Sequence, residues 1–304
     1  MGTSASSRGP SGGVPMVPPW VPDPVPPDGA PATPVLPPDK AGGSGPADGG
    51  NGDGQQGPGQ NQLAPQQAPP IAVPRASPIA PVGRFGAARR WLTRFAGGGD
   101  AHDMRRGVRH YVRSGYGGGG SAVRRFGGTA STANVLYGAL SSVAGGQAPT
   151  AGSSLDPVLL AGRSAREIMD AIVEAVRPAD GTQDAEAGRV SIKDALAELL
   201  TMFPDADLLN LSEDQRTFVI ERFVAIDVFR RFYLDLGKTI QDKAPTATAA
   251  MARLKEVKNY IKETIAAAFR KLRAAGSRLT TSRVTEFVRD AIREAFQVFE
   301  GYIQ

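Results

Sequence analysis

Residues 1–83 hold 20 of the 25 prolines in the chain, in runs such as Val17-Pro18-Pro19-Trp20-Val21-Pro22-Asp23-Pro24. Proline has no amide donor for a helix or sheet, and glycine, also abundant here, raises the entropic cost of ordering. The apolar side chains are too scattered to offset that cost, so the expected state is a disordered tail of coil and polyproline II. Folding must therefore be done by the remaining residues of the 304-residue chain, enough for a sizeable core.

Charge divides the chain in the same way. Residues 1–83 carry a net charge of −2 and residues 126–304 a net charge of −1, whereas residues 84–125 carry ten arginines against Asp100 and Asp103. That basic block is Arg84, Arg89, Arg90, Arg94, Arg105, Arg106, Arg109, Arg113, Arg124 and Arg125, with Phe85, Trp91, Tyr111 and Phe126 among them. Guanidinium forks grip phosphate or carboxylate, and aromatic rings stack on bases. Docking on an acidic protein surface, contact with a nucleic-acid backbone, and a solvated arm all fit this composition.

Residues 84–150 are broken by glycines at 97–99, 117–120, 127–128 and 145–146. Short helices are expected at about 84–96, 104–113 and 131–143. Alone they are marginal and need a partner or the C-terminal region to hold them.

Residues 155–304 show sustained helical spacing without a period-two stretch long enough for a strand. Ser164-Ala165-Arg166-Glu167 is a capping box that opens a helix closed by Pro178. A second helix is expected at about 185–203, before Pro204. A second capping box, Ser212 to Gln215, opens a broadly apolar helix expected to be central, with Gly237 as its C-cap. Pro245-Thr246 opens the next helix, which ends at Gly276, and Ser282 is expected to cap the last. The fold class is an all-α C-terminal domain of about five main helices at 155–304. It is preceded by short basic helices at 84–150 and the disordered tail at 1–83.

A search for reaction chemistry finds little. Cysteine is absent, which removes disulfides, thiolate metal sites and a cysteine nucleophile, and fits a reducing cytoplasm. No signal peptide and no run of about 18 apolar residues is present, so no membrane role is expected. The two histidines, His102 and His110, lie in the glycine-broken basic block, an exposed and poorly ordered context rather than a preorganised pocket. Gly237-Lys238-Thr239 ends like a phosphate-binding loop, but Phe232 stands where the first glycine belongs. Asp205-Ala206-Asp207 begins like a calcium loop, but Asn210 occupies the obligatory glycine position. Asp227 and Asp235, beside Arg230 and Arg231, read as helix-surface charges. No catalytic residue, cofactor or metal site is assigned. At the N-terminus, removal of Met1 would expose the amine of Gly2, and Gly2-Thr3-Ser4-Ala5-Ser6 matches an N-myristoylation pattern, a reaction bacteria generally lack.

Several segments resemble the QatB subunits of bacterial Qat anti-phage defence systems. They are Met1-Gly2-Thr3-Ser4, Gly9-Pro10-Ser11-Gly12-Gly13, Val17-Pro18-Pro19-Trp20, Thr93-Arg94-Phe95-Ala96 within the arginine block, and Pro178-Ala179-Asp180-Gly181-Thr182. Asp214 to Arg222 and Asp235 to Asp242 agree as well. The resemblance implies a four-protein system with an ATPase (QatA), a QueC-like enzyme (QatC) and a TatD-like nuclease (QatD), in which this subunit lacks recognisable catalytic machinery. Because QueC-like enzymes handle 7-deazaguanine chemistry, it also makes Gly2 a candidate acceptor for a deazaguanine group. Two functions stay open: an interaction subunit that binds the QueC-like partner, and a nucleic-acid-binding module that brings the nuclease to phage DNA through residues 84–125.

Overall fold

The computed structural model describes residues 83–147 and 155–302, which belong to a single compact unit. The described residues form eleven α-helical segments and no strand. The tail and Gly2 lie outside them.

The basic region folds first in chain order. Helix α1 (Gly86–Ala96) and helix α2 (Ala101–His110) pack on each other, and a π-helical turn follows at Tyr111–Gly115. Asp100 caps α2 by accepting from the backbone amides of His102 and Asp103. Gly107 is where the two helices meet: a Cβ there would lie 2.6 Å from a terminal carbon of Leu92, which is fully buried. Helix α3 (Gly119–Arg125), which spacing alone did not suggest, turns into α4 (Gly127–Ala144) at Phe126. The short helices are held by the C-terminal ones: α1 packs on α9 (Lys238–Lys243) and α10 (Ala247–Ala274), while α2, α3 and α4 pack on α11 (Val284–Gly301).

The C-terminal helices are α5 (Pro157–Leu160), α6 (Ala165–Val176), α7 (Gln183–Met202), α8 (Glu213–Phe232), α9 (Lys238–Lys243), α10 (Ala247–Ala274) and α11 (Val284–Gly301). Both capping boxes form, with Ser164 and Glu167 exchanging bonds at α6 and Ser212 and Gln215 at α8. Helix α8 is central: α4, α7 and α10 all pack on it, and residues from Val219 to Val228 are buried nearly continuously.

Two helix ends differ from expectation. Gly237 is no C-cap; a π turn at Tyr233–Gly237 carries α8 on into α9. The glycine serves close approach instead, since a Cβ there would lie 2.5 Å from the Tyr233 ring. Nor does Ser282 cap α11: Arg283 holds that position with no side-chain bond, and the Ser282 hydroxyl lies 3.3 Å from that of Thr280. By contrast Thr246 does cap α10, and Gly276, with φ of +83°, lies just past its end.

One hydrophobic core runs from Phe85 to Phe299 and draws on every long helix. No described helix is long and apolar enough to cross a membrane.

Candidate functional site: an arginine face and a polar cleft

The α1–α2 packing gathers arginines distant in sequence onto one face. Arg90 from α1, Arg106 and Arg109 from α2, and Arg113 from the following turn all exert their charge on His110. Partial burial, then these four guanidinium charges, hold its imidazole below the ordinary histidine range. Its Nδ1 lies 3.3 Å from the Ser114 hydroxyl. Both histidines therefore sit on ordered helices, contrary to the exposed, poorly ordered context expected. His102 packs edge-on to Tyr302 at 5.8 Å.

The other arginines divide between structure and solvent. Trp91 lies against two guanidinium groups, Arg106 at 4.6 Å and Arg94 at 5.0 Å from the ring centroid. Arg94 also pairs with Asp103 at 3.7 Å. Arg105 lies 5.2 Å from the Tyr302 ring centroid, and Arg109 Nε donates to the Glu300 carbonyl at 3.1 Å, tying α2 to the end of α11. Arg84 pairs with Asp235 at 3.4 Å and covers Phe85. Arg124 donates to Ser121, and Arg125 lies 6.0 Å from the Tyr116 ring centroid. Arg89, Arg90 and Arg113 are exposed and meet no carboxylate among the described residues.

A polar cleft of about 400 Å³ opens beside the π turn after α8, lined by Arg84, Tyr116, Arg125, Arg231 and Asp235 among others. Its groups are committed to one another. Asp235 accepts from the Tyr116 hydroxyl at 2.9 Å, the Tyr111 hydroxyl at 3.1 Å and Arg84. Burial first, with the neighbouring Asp235 charge, pushes the Tyr116 hydroxyl up to about 12, and the fully enclosed Tyr111 is raised as well. Asp227 overturns its surface reading: it is 3 % exposed, accepts from the Thr129 hydroxyl at 2.6 Å and pairs with Arg231 at 3.3 Å. Its partner Thr129 lies 98 positions away, so no local pattern could have revealed it.

Asp100, His102 and Asp103 bring donor atoms within 4.8 Å of one another. The Asp100 carboxylate is engaged as a helix cap and Asp103 by Arg94, so the cluster reads as a helix start. Lys238 of the Gly237-Lys238-Thr239 segment pairs with Asp242 one helical turn on. Asp207, in the calcium-like segment, closes a turn by accepting from the Leu209 amide.

Neither a curated protein nor a solved structure matches this chain. A family model does: that of the Qat anti-phage system associated protein QatB, over residues 117–299. The match covers α3 to α10 and all but the last two residues of α11; it takes in Arg125, Arg231 and Asp235 of the cleft, but not Arg84 or Tyr116, and only Arg124 and Arg125 of the arginine block. The chain thus belongs to the QatB family and is a component of the Qat anti-phage defence system.

Proposed function

We propose that this chain is a non-enzymatic interaction subunit, which binds the QueC-like member of its system and offers the Gly2 amine as the acceptor for that enzyme's group transfer. The observation that carries the reading is the engagement of the cleft. Asp235 of the cleft holds two tyrosine hydroxyls and Arg84, and Asp227, buried on α8, holds the Thr129 hydroxyl and Arg231, structural bonds that stabilise a surface rather than activate a nucleophile. The family description, that of a system-associated protein, supports the same role. The ATPase and the TatD-like nuclease are further partners in this reading. Intact-mass analysis of the chain, made with and without the QueC-like protein, tests it. A mass increase confined to the N-terminal peptide and abolished by Gly2→Pro supports the reading; an unchanged peptide removes the acceptor role.

The face around His110 favours a second reading. The charges of four arginines act on this imidazole, and two of them, Arg90 and Arg113, are exposed and meet no carboxylate among the described residues, which leaves them open to a polyanion such as a DNA backbone. Gel-shift titration across salt separates the readings. DNA binding that falls steeply with salt and is lost in Arg90→Glu/Arg113→Glu supports nuclease recruitment, and binding unchanged by that pair of substitutions removes it.

A further inference from the structure

A groove of about 460 Å³ lies between the α3–α4 turn and α11, lined by Gly120, Val123, Arg124, Gly127, Arg289 and Arg293. Three of these six residues are arginines and none is acidic, whereas the polar cleft beside the π turn sets Asp184 and Asp235 among its arginines. A concave lining of one sign focuses its field on an ion of the other, so the groove attracts an anion.

The walls come from two helices that pack on each other. Arg124 stands at the end of α3, and Arg289 and Arg293 lie on α11. Arg289 and Arg293 are four residues apart, which puts them on one helix face, about 6 Å apart along its axis. All three arginines are exposed, but their commitments differ. Arg293 pairs with Asp290 on its own helix. Arg124 Nη2 donates to the uncharged Ser121 hydroxyl at 2.8 Å, and Arg289 meets no carboxylate among the described residues.

The floor narrows the choice of anion. Gly120 and Gly127 carry no side chain, and a Cβ at either would meet nothing within 4 Å, so the space above them is open. Val123 is the one apolar side chain in the lining, and no aromatic ring stands there for a base to stack on. A guanidinium fork binds phosphate bidentately, and two forks one turn apart suit successive phosphates better than a lone carboxylate. The volume lies within the range of small-ligand sites, about 300–1,000 Å³.

We propose that this groove binds a linear polyphosphate, free or as the triphosphate of a nucleotide, through Arg124, Arg289 and Arg293, and holds it by its phosphates and not by a base. The inference rests neither on the role of Gly2 nor on that of the His110 face.

Isothermal titration calorimetry of the full chain at low salt tests it, with sodium tripolyphosphate, ATP and GTP as probes. Tripolyphosphate should bind, and ATP and GTP should match each other within about threefold, because nothing in the lining reads a base. Equal binding of ATP and tripolyphosphate assigns the nucleotide form, and tripolyphosphate alone the free form; both support the proposal. Arg124→Glu/Arg289→Glu, at two exposed positions, should weaken binding by at least about tenfold, the order lost with one charged hydrogen bond. Arg90→Glu/Arg113→Glu changes the net charge equally on another face and should leave the affinity as it was. Asp290→Asn, which releases Arg293, should tighten binding severalfold, a gain that misfolding cannot produce. No binding of tripolyphosphate overturns the proposal, as does binding indifferent to the groove substitutions. An equal loss in the two double variants marks general attraction to a basic chain and overturns it too, as does a preference of about tenfold or more between ATP and GTP. A single-stranded DNA oligonucleotide that binds through Arg124 and Arg289 where tripolyphosphate does not assigns the groove to a nucleic-acid strand instead, and likewise overturns it.

Discussion

Replacing Asp227 by alanine tests the internal construction of the α4–α8 contact. The substitution leaves the Thr129 hydroxyl, 1 % exposed as a residue, without its acceptor and removes the nearer anion from Arg231. Breaking one side of a buried charge pair costs about 3–5 kcal/mol. Arg231 retains partial access to water and a second carboxylate, Asp184 at 3.7 Å, which places the loss near the lower end, about 3 kcal/mol. For a folded unit of this size each kcal/mol moves Tm by about 2–4 °C, so a fall of about 6–12 °C is expected in calorimetry. Asp227→Asn, which keeps an acceptor for Thr129, should lose about half as much. Thr129→Val alone should cost about 1–2 kcal/mol, and the double variant should lose less than the sum of its parts. A change within about 0.5 kcal/mol in Asp227→Ala, as for a surface position, would mean that this carboxylate does not hold the α4–α8 contact.

Other consequences are open to measurement. Gly107→Ala should destabilise the fold by about 1–2 kcal/mol in urea titration, because the clash with buried Leu92 outweighs the helix-propensity gain of about 1 kcal/mol. His110 should titrate below the ordinary histidine range by NMR. The unfolded chain then takes up that proton first, so the histidine contributes a loss of stability as pH falls through about 6.5 toward the folded value, a slope that His110→Gln removes. A polyanion seated among the four arginines should raise that value; an unmoved titration would exclude this face as its site. Tyr116, with its proton held to about 12, should stay un-ionised in an absorbance titration where free tyrosine ionises, and stability should fall as pH rises from about 10 toward 12.

The parts of the fold legible in the sequence are those fixed by local chemistry. The capping boxes at Ser164 and Ser212, the cap at Thr246, and the stops at Pro178 and Pro204 each act within a few residues, so their spacing suffices. What was hidden depends on distant partners. Asp227 looks like any helix-surface acid until Thr129 closes on it. Gly237 looks like a helix stop, yet its small size admits the Tyr233 ring into a π turn. The arginine block looks like a loose arm because composition counts charges and not stems. Half-buried Arg105 and Arg106 lie against aromatic rings, and Arg109 binds the end of α11. Helix α3 was masked by the glycines at its start, and its hold on α11 comes from burying Ala122 and Val123.

In the role proposed, this chain contributes surfaces to its defence system while other members carry out the chemistry. Light scattering on the full chain mixed with the QueC-like protein, after size separation, addresses it most directly. A mixed complex containing both chains is expected. Two separate peaks of unaltered mass, at concentrations well above those in the cell, would contradict it.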